Sequence, residues 1–169
     1  MDHRHHRRTI RLDGYDYSSE GCYFVTMCTG GRQCLLGEGV RQEMRMNDVG
    51  RMVERWYREL EHKFPSVQGL DYVVMPNHFH CILHVGNPPA GAAPSAAVSL
   101  STVVQWFKTM TTNEYYRHVR EGSWPAVSRR LWQRNYYEHI IRSQRSLDLI
   151  SEYIQSNPTR WAEDMFFED

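Results

Sequence analysis

The sequence predicts an α+β fold: a ferredoxin-like antiparallel sheet of order βαββαβ, with helices on one face and an added C-terminal helix. Three observations lead there. Short β-branched and aromatic runs alternate with segments of helical apolar spacing. Gly and Pro mark the junctions between them. The order of elements is strand, helix, strand, strand, helix, strand, helix, which is the split βαβ plan plus one helix.

Residues 22–29, Cys-Tyr-Phe-Val-Thr-Met-Cys-Thr, form the first strand and close on Gly30-Gly31. Residues 33–46 read as a short hairpin or excursion around Gly37 and Gly39. Asn47-Asp48 caps a first helix in which Val49, Met52, Val53, Trp56, Tyr57 and Leu60 recur at helical spacing, with Pro65 just past its end. Residues 70–75 form the second strand, and after Pro76-Asn77 the run from His78 to Val85 forms the third. Residues 86–98, rich in Ala and Pro, read as a flexible loop. Ser99 or Ser101 opens a second helix with Val103, Val104, Phe107 and Met110 on its apolar side. Residues 131–141 make the fourth strand. Ser143 or Ser146 then caps a third helix carrying Leu147, Leu149, Ile150, Tyr153 and Ile154. That helix ends near Asn157, because Pro158 biases its predecessor away from helical angles.

A chain of 169 residues with 41% hydrophobic content suits one globular domain. The expected organisation is a basic tail at 1–10, the domain at 11–162 and an acidic tail at 163–169. No stretch approaches the ~18 consecutive apolar residues of a membrane span. The basic N-terminus has no apolar segment behind it, so a secretory signal is not expected and a cytoplasmic location is. Cys22, Cys28, Cys34 and Cys81 form no CxxC pair and read as small hydrophobes, not as zinc ligands.

The net charge is zero, unlike the usual basic footprint of a nucleic-acid binder, but the distribution is uneven. Arg4, Arg7, Arg8 and Arg11 against Asp2 leave the first eleven residues at +3. From Arg117 to Arg145 there are seven arginines, among them Arg130, Arg134 and Arg142, against Glu121 and Glu138, a net of +5. This stretch also holds Trp124, Trp132, Tyr136 and Tyr137. Arginine interleaved with aromatics can follow a phosphate backbone while rings stack on unpaired bases. A solvated face with core aromatics would carry the same pattern.

Side chains alternate along a strand, so His78 and His80 face the same side, with Ile82 continuing it and Phe79, Cys81, Leu83 and Val85 on the other. Two imidazoles so placed can grip one cation; a hydrogen-bonded pair at a sheet edge is the plainer alternative. A cation held by two histidines needs a further protein ligand. Tyr153 and Asn157 stand at i and i+4 on the third helix, and an amide oxygen there suits Mg²⁺ or Mn²⁺. His84 lies on the same face but further along and is expected at the surface or behind the ligands.

Several segments together resemble the HUH single-tyrosine (IS200-like) transposases, in particular the REP-associated tyrosine transposases. They are Arg8-Thr-Ile-Arg-Leu-Asp-Gly-Tyr-Asp-Tyr17, Tyr23-Phe-Val-Thr-Met-Cys28, Val73-Val-Met-Pro-Asn-His-Phe-His80, Leu131-Trp-Gln-Arg-Asn-Tyr-Tyr-Glu-His-Ile-Ile-Arg142 and Tyr153-Ile-Gln-Ser-Asn-Pro158. The resemblance covers roughly residues 8–162. It implies a transposase or endonuclease acting on single-stranded and hairpin DNA through a 5′-phosphotyrosine intermediate. By the same likeness His78, His80 and Asn157 would bind Mg²⁺ or Mn²⁺, and Tyr153 would be the nucleophile. Tyr136 and Tyr137, which sit in the strand motif, are expected in structure or DNA contact. Lys108 matches a basic family position. With Arg4, Arg7, Arg8, Arg11, Arg130, Arg134 and Arg142, these form the expected DNA-binding set. A monomer is favoured over a homodimer. The alternatives are a non-catalytic hairpin-binding module and a histidine-triad hydrolase; the latter needs H-x-H-x-H, and position 82 is isoleucine.

Overall fold

The structure is a computed structural model that describes residues 16, 20–87, 98–127 and 130–166. Arg4, Arg7, Arg8, Arg11, most of the 86–98 loop and the end of the acidic tail lie outside the described residues. The chain runs β1 (Gly21–Cys28), β2 (Gly37–Val40), β3 (Glu43–Met46), α1 (Asp48–Lys63), β4 (Val67–Val74), β5 (His78–Val85), α2 (Leu100–Arg120), β6 (Tyr137–Ile141) and α3 (Gln144–Ser156). Four strands form one antiparallel sheet of order β4-β5-β1-β6. With the β2–β3 hairpin set aside as an insertion, this is the ferredoxin-like order that the sequence predicts.

The helix starts follow their caps. Asn47, Ser99 and Ser143 each accept a bond from a backbone N–H three residues on, at 3.0, 3.2 and 3.2 Å. Each such cap stabilises its helix by about 1 kcal/mol. One face of the sheet, with Tyr23, Val25, Met27, Phe79, Cys81, Leu83 and Val85, packs against α1 and α2 in the main core. The opposite face carries Ile82 and Ile141 against Ile154 of α3, with Phe24, Val73 and Ile150 alongside. His78 and His80 alternate with Phe79 and Cys81 and therefore lie on the α3 face.

Two strands differ from expectation. The second starts earlier, at Val67, and its register with β5 shifts between Gly69 and Tyr72. The fourth begins only at Tyr137, because residues 131–136 are drawn off the sheet. Leu131 and Trp132 are buried, Trp132 keeps a single bridge to Thr29, and its indole N–H donates to Thr111 Oγ1 at 2.8 Å. The Lys108 ammonium then donates to the carbonyls of Gln133 and Asn135 at 3.0 and 3.1 Å, which turns those groups away from a ladder.

Candidate active site

The site lies where β5 begins, under α3 and the chain that follows it. The rings of His78 and His80 are 4.5 Å apart and almost fully buried. Each is held through Nδ1: His78 by Asn77 Oδ1 at 2.9 Å, His80 by Thr26 Oγ1 at 2.7 Å. Both Nε2 atoms are therefore turned into the site. Burial pushes the two imidazoles down to about 3, so both are neutral at physiological pH and able to act as ligands.

Across from them, the Tyr153 hydroxyl sits 3.4 Å from His80 Nε2. Its pKa is raised, chiefly by burial and then by the nearby Asp164 carboxylate. Asn157 closes α3 and is buried; its Nδ2 donates to Asp164 Oδ2 at 3.2 Å. After α3 a 3-10 turn, Asn157–Glu163, brings Asp164 back over the histidines. Its side chain is 3% exposed, with Oδ2 at 4.0 Å from His78 Nε2.

His78, His80 and Asp164 each offer a ligand atom, and these atoms lie within 4.8 Å of one another. His78 Nε2 and Asn157 Oδ1 are buried with no hydrogen-bond partner among the described residues. Two orphaned acceptors beside a carboxylate are what a divalent cation would satisfy. Phe166 covers the pair, 4.8 Å from the His78 ring, while a side cavity of about 230 Å³ reaches Tyr153, Asn157, Arg160 and Asp164.

On the other face of the same sheet end, a cleft of about 600 Å³ opens between α2 and residues 130–136. Arg130, Arg134, Tyr136, Trp132 and Lys108 line it, and among the described residues no carboxylate does. Tyr137 follows Tyr136 but pairs with Thr26, so it stands on the histidine face, 47% exposed.

A family model described as "Transposase IS200 like" matches residues 23–157. The chain belongs to the IS200-like transposase family. An uncharacterised protein of Haemophilus influenzae is 38% identical over 171 residues, spanning 98% of this chain and 95% of the relative. Among solved structures, a REP-associated tyrosine transposase bound to a REP hairpin is similar with a TM-score of 0.58 and 21% identity, over 89% of this chain and 74% of that one. A candidate transposase from Deinococcus radiodurans is similar with a TM-score of 0.52 and 18% identity, over 86% of this chain and 95% of that one. At these identities the two structures support the fold.

In this transposase the folded chain brings His78, His80, Tyr153 and Asn157 together. It also brings Lys108, Arg130, Arg134 and Tyr136 into one cleft. Lys108 is committed to two carbonyls and lies under Tyr136, 5.5 Å from the ring centroid; burial pushes its ammonium down to about 8. Arg142 follows the far end of β6 from Tyr137, about 17 Å away at ~3.3 Å per residue. His84 is half-buried near Glu20, outside the site. Sequence reasoning missed Asp164, which reads as one acid of a solvated tail, and Asn77 and Thr26, whose ring contacts have no periodic signature. It also missed Arg160, whose only sequence signal is its closeness to Asn157-Pro158.

Proposed function

We propose that this transposase is a divalent-metal-dependent, single-stranded DNA endonuclease and strand transferase that recognises hairpins of repeated palindromes and cleaves through a 5′-phosphotyrosine. The observation that carries this reading is the approach of the Tyr153 hydroxyl to His80 Nε2, 3.4 Å, within the buried histidine and carboxamide cluster. The fold likeness to a REP-hairpin complex supports the choice of DNA hairpin.

His78 and His80 through Nε2, Asn157 through Oδ1 and Asp164 through its carboxylate would hold Mg²⁺ or Mn²⁺. When bound, the ion polarises the scissile phosphate and stabilises the leaving oxygen. Tyr153 Oη attacks phosphorus, the bond from phosphorus to the 3′ oxygen breaks, and the phenol proton ends on that oxygen. The phosphotyrosine ester keeps the phosphodiester bond energy, so a 3′-hydroxyl can reverse the step. Arg160, which lines the cavity with Tyr153, would receive the phosphate in exchange for Glu163, its partner at 3.4 Å. The cleft with Arg130, Arg134 and Tyr136 would take the adjoining strand, through phosphate contacts and stacking. Within one chain Tyr153 reaches His80 at 3.4 Å, so the proposed step needs no second copy and a monomer is the proposed working unit.

A hairpin-bearing oligonucleotide with Mg²⁺ or Mn²⁺ is expected to give a covalent protein–DNA adduct on a denaturing gel, and Tyr153→Phe to give none. An adduct that persists in Tyr153→Phe refutes the assignment. Hairpin binding insensitive to EDTA, with no adduct under either metal, would instead make the chain a non-catalytic hairpin-binding module.

A further inference from the structure

We propose that Asn77 sets the tautomer of His78, keeping the proton on Nδ1 and the lone pair of Nε2 in the site before any cation arrives. The inference rests on the reading of His78 as a metal ligand. A neutral imidazole carries one proton, and only the bare nitrogen can ligate. Which nitrogen is bare depends on what the other one meets.

Asn77 is fully buried in the turn between β4 and β5. Its Nδ2 donates to the carbonyls of Arg32 and Phe166 at 3.1 and 2.7 Å. A carbonyl can only accept, so the NH₂ must lie on that side and Oδ1 on the other. Oδ1 faces His78 Nδ1 at 2.9 Å. An amide oxygen can only accept in turn, so Nδ1 must carry the proton. Turning the amide over would set its oxygen against two carbonyl oxygens in the interior, with two hydrogen bonds lost. Nor can the residue drift, since its own carbonyl accepts from Thr29 N and Thr29 Oγ1 at 2.9 and 3.0 Å. The result is a bare, buried Nε2 with the Asp164 carboxylate 4.0 Å away, two electron-rich groups that a cation between them would reconcile. His80 differs. Its Nδ1 meets the Thr26 hydroxyl, which can donate or accept, so that contact leaves the choice open. A free histidine side chain prefers the proton on Nε2, the wrong arrangement for this site. Asn77 is thus a positioning residue for the metal, acting through His78.

The test uses the full chain labelled with ¹⁵N-histidine, stripped of metal with EDTA at neutral pH. A long-range ¹H–¹⁵N correlation should show His78 protonated at Nδ1 and bare at Nε2. Asn77→Ala should move the proton to Nε2 and lower Mn²⁺ affinity by about 10- to 100-fold in calorimetry. Asn77→Asp keeps an acceptor for Nδ1 but cannot donate to Arg32 and Phe166. It should melt at lower temperature while keeping the tautomer and an Mn²⁺ affinity close to that of the unsubstituted protein. A merely structural role for Asn77 would make affinity follow stability in both variants. His78 protonated at Nε2 in the unsubstituted protein overturns the proposal. So does a folded Asn77→Ala protein with full Mn²⁺ affinity. Should that variant not fold, the unsubstituted spectrum and the Asp variant still decide. None of these readings uses DNA, so they stand apart from the outcome of the strand-transfer assay. Absence of Mn²⁺ binding to the unsubstituted protein would overturn the metal site and this inference with it.

Discussion

Replacing Arg130 and Arg134 together by glutamine should change how salt weakens binding to single-stranded DNA, more than it changes the fold. Both side chains line the α2 cleft, both residues are exposed, and among the described residues no carboxylate lines the cleft to compete with a phosphate. Each phosphate contact contributes about 0.7 to the slope of log affinity against log salt for a single strand. Two contacts then contribute about 1.4, and over a fourfold rise in salt, from about 50 to 200 mM, that is roughly a sevenfold share of the affinity lost. The double variant should therefore bind more weakly at low salt and lose about sevenfold less on going to high salt than the unsubstituted transposase. Fluorescence anisotropy with a labelled oligothymidylate reads both quantities. An unchanged slope would show that neither guanidinium meets a phosphate and that the strand runs elsewhere. Because Tyr153, the proposed nucleophile, is on the other face of the sheet, adduct formation at saturating DNA should survive the change.

Asp164→Asn should lower Mn²⁺ affinity in calorimetry without lowering the melting temperature; unchanged affinity would remove Asp164 from the ligand set. Acid should destabilise the metal-free protein through the histidine pair. Folded, both titrate near 3, whereas unfolded they titrate near 6.5, so below 6.5 the unfolded chain binds more protons and stability falls. The loss is roughly 2 kcal/mol per histidine by pH 5, and denaturant melts of His78→Gln/His80→Gln should show a flatter pH dependence. Gly30→Ala would place a Cβ 1.9 Å from the Arg130 carbonyl oxygen, so the cleft wall must shift. A cost of about 1–3 kcal/mol in a thermal melt is expected, with weaker oligothymidylate binding. A variant as stable as the parent would mean that this wall is not packed as described.

Much of the fold is legible because the signals are local. The caps at Asn47, Ser99 and Ser143 need only three residues of chain to act. The alternation from His78 to Val85 separates the histidine face from the core face within eight residues. Strand ends are less legible. Leu131 and Trp132 look like the start of β6, but whether they join the ladder or plug the core depends on Thr29, Thr111 and Lys108, which are distant in sequence. The charge pattern misleads for the same reason. Arg117 belongs with Glu114 on α2 at 3.8 Å, and Arg142 with the far end of β6, so the apparent basic stretch is several separate surfaces.

The sequence alone determined that His78 and His80 share a face and that Tyr153 and Asn157 share another, since strand and helix periods set which neighbours point together. Only the tertiary structure brought Tyr153 to His80 across 73 residues of chain and folded Asp164 out of solvent to stand beside His78. An acidic residue near a chain end looks the same in sequence whether it is hydrated or buried. What separates the two cases is the packing of Phe166 and Trp161 around the histidine rings, beside which the Asp164 side chain is 3% exposed.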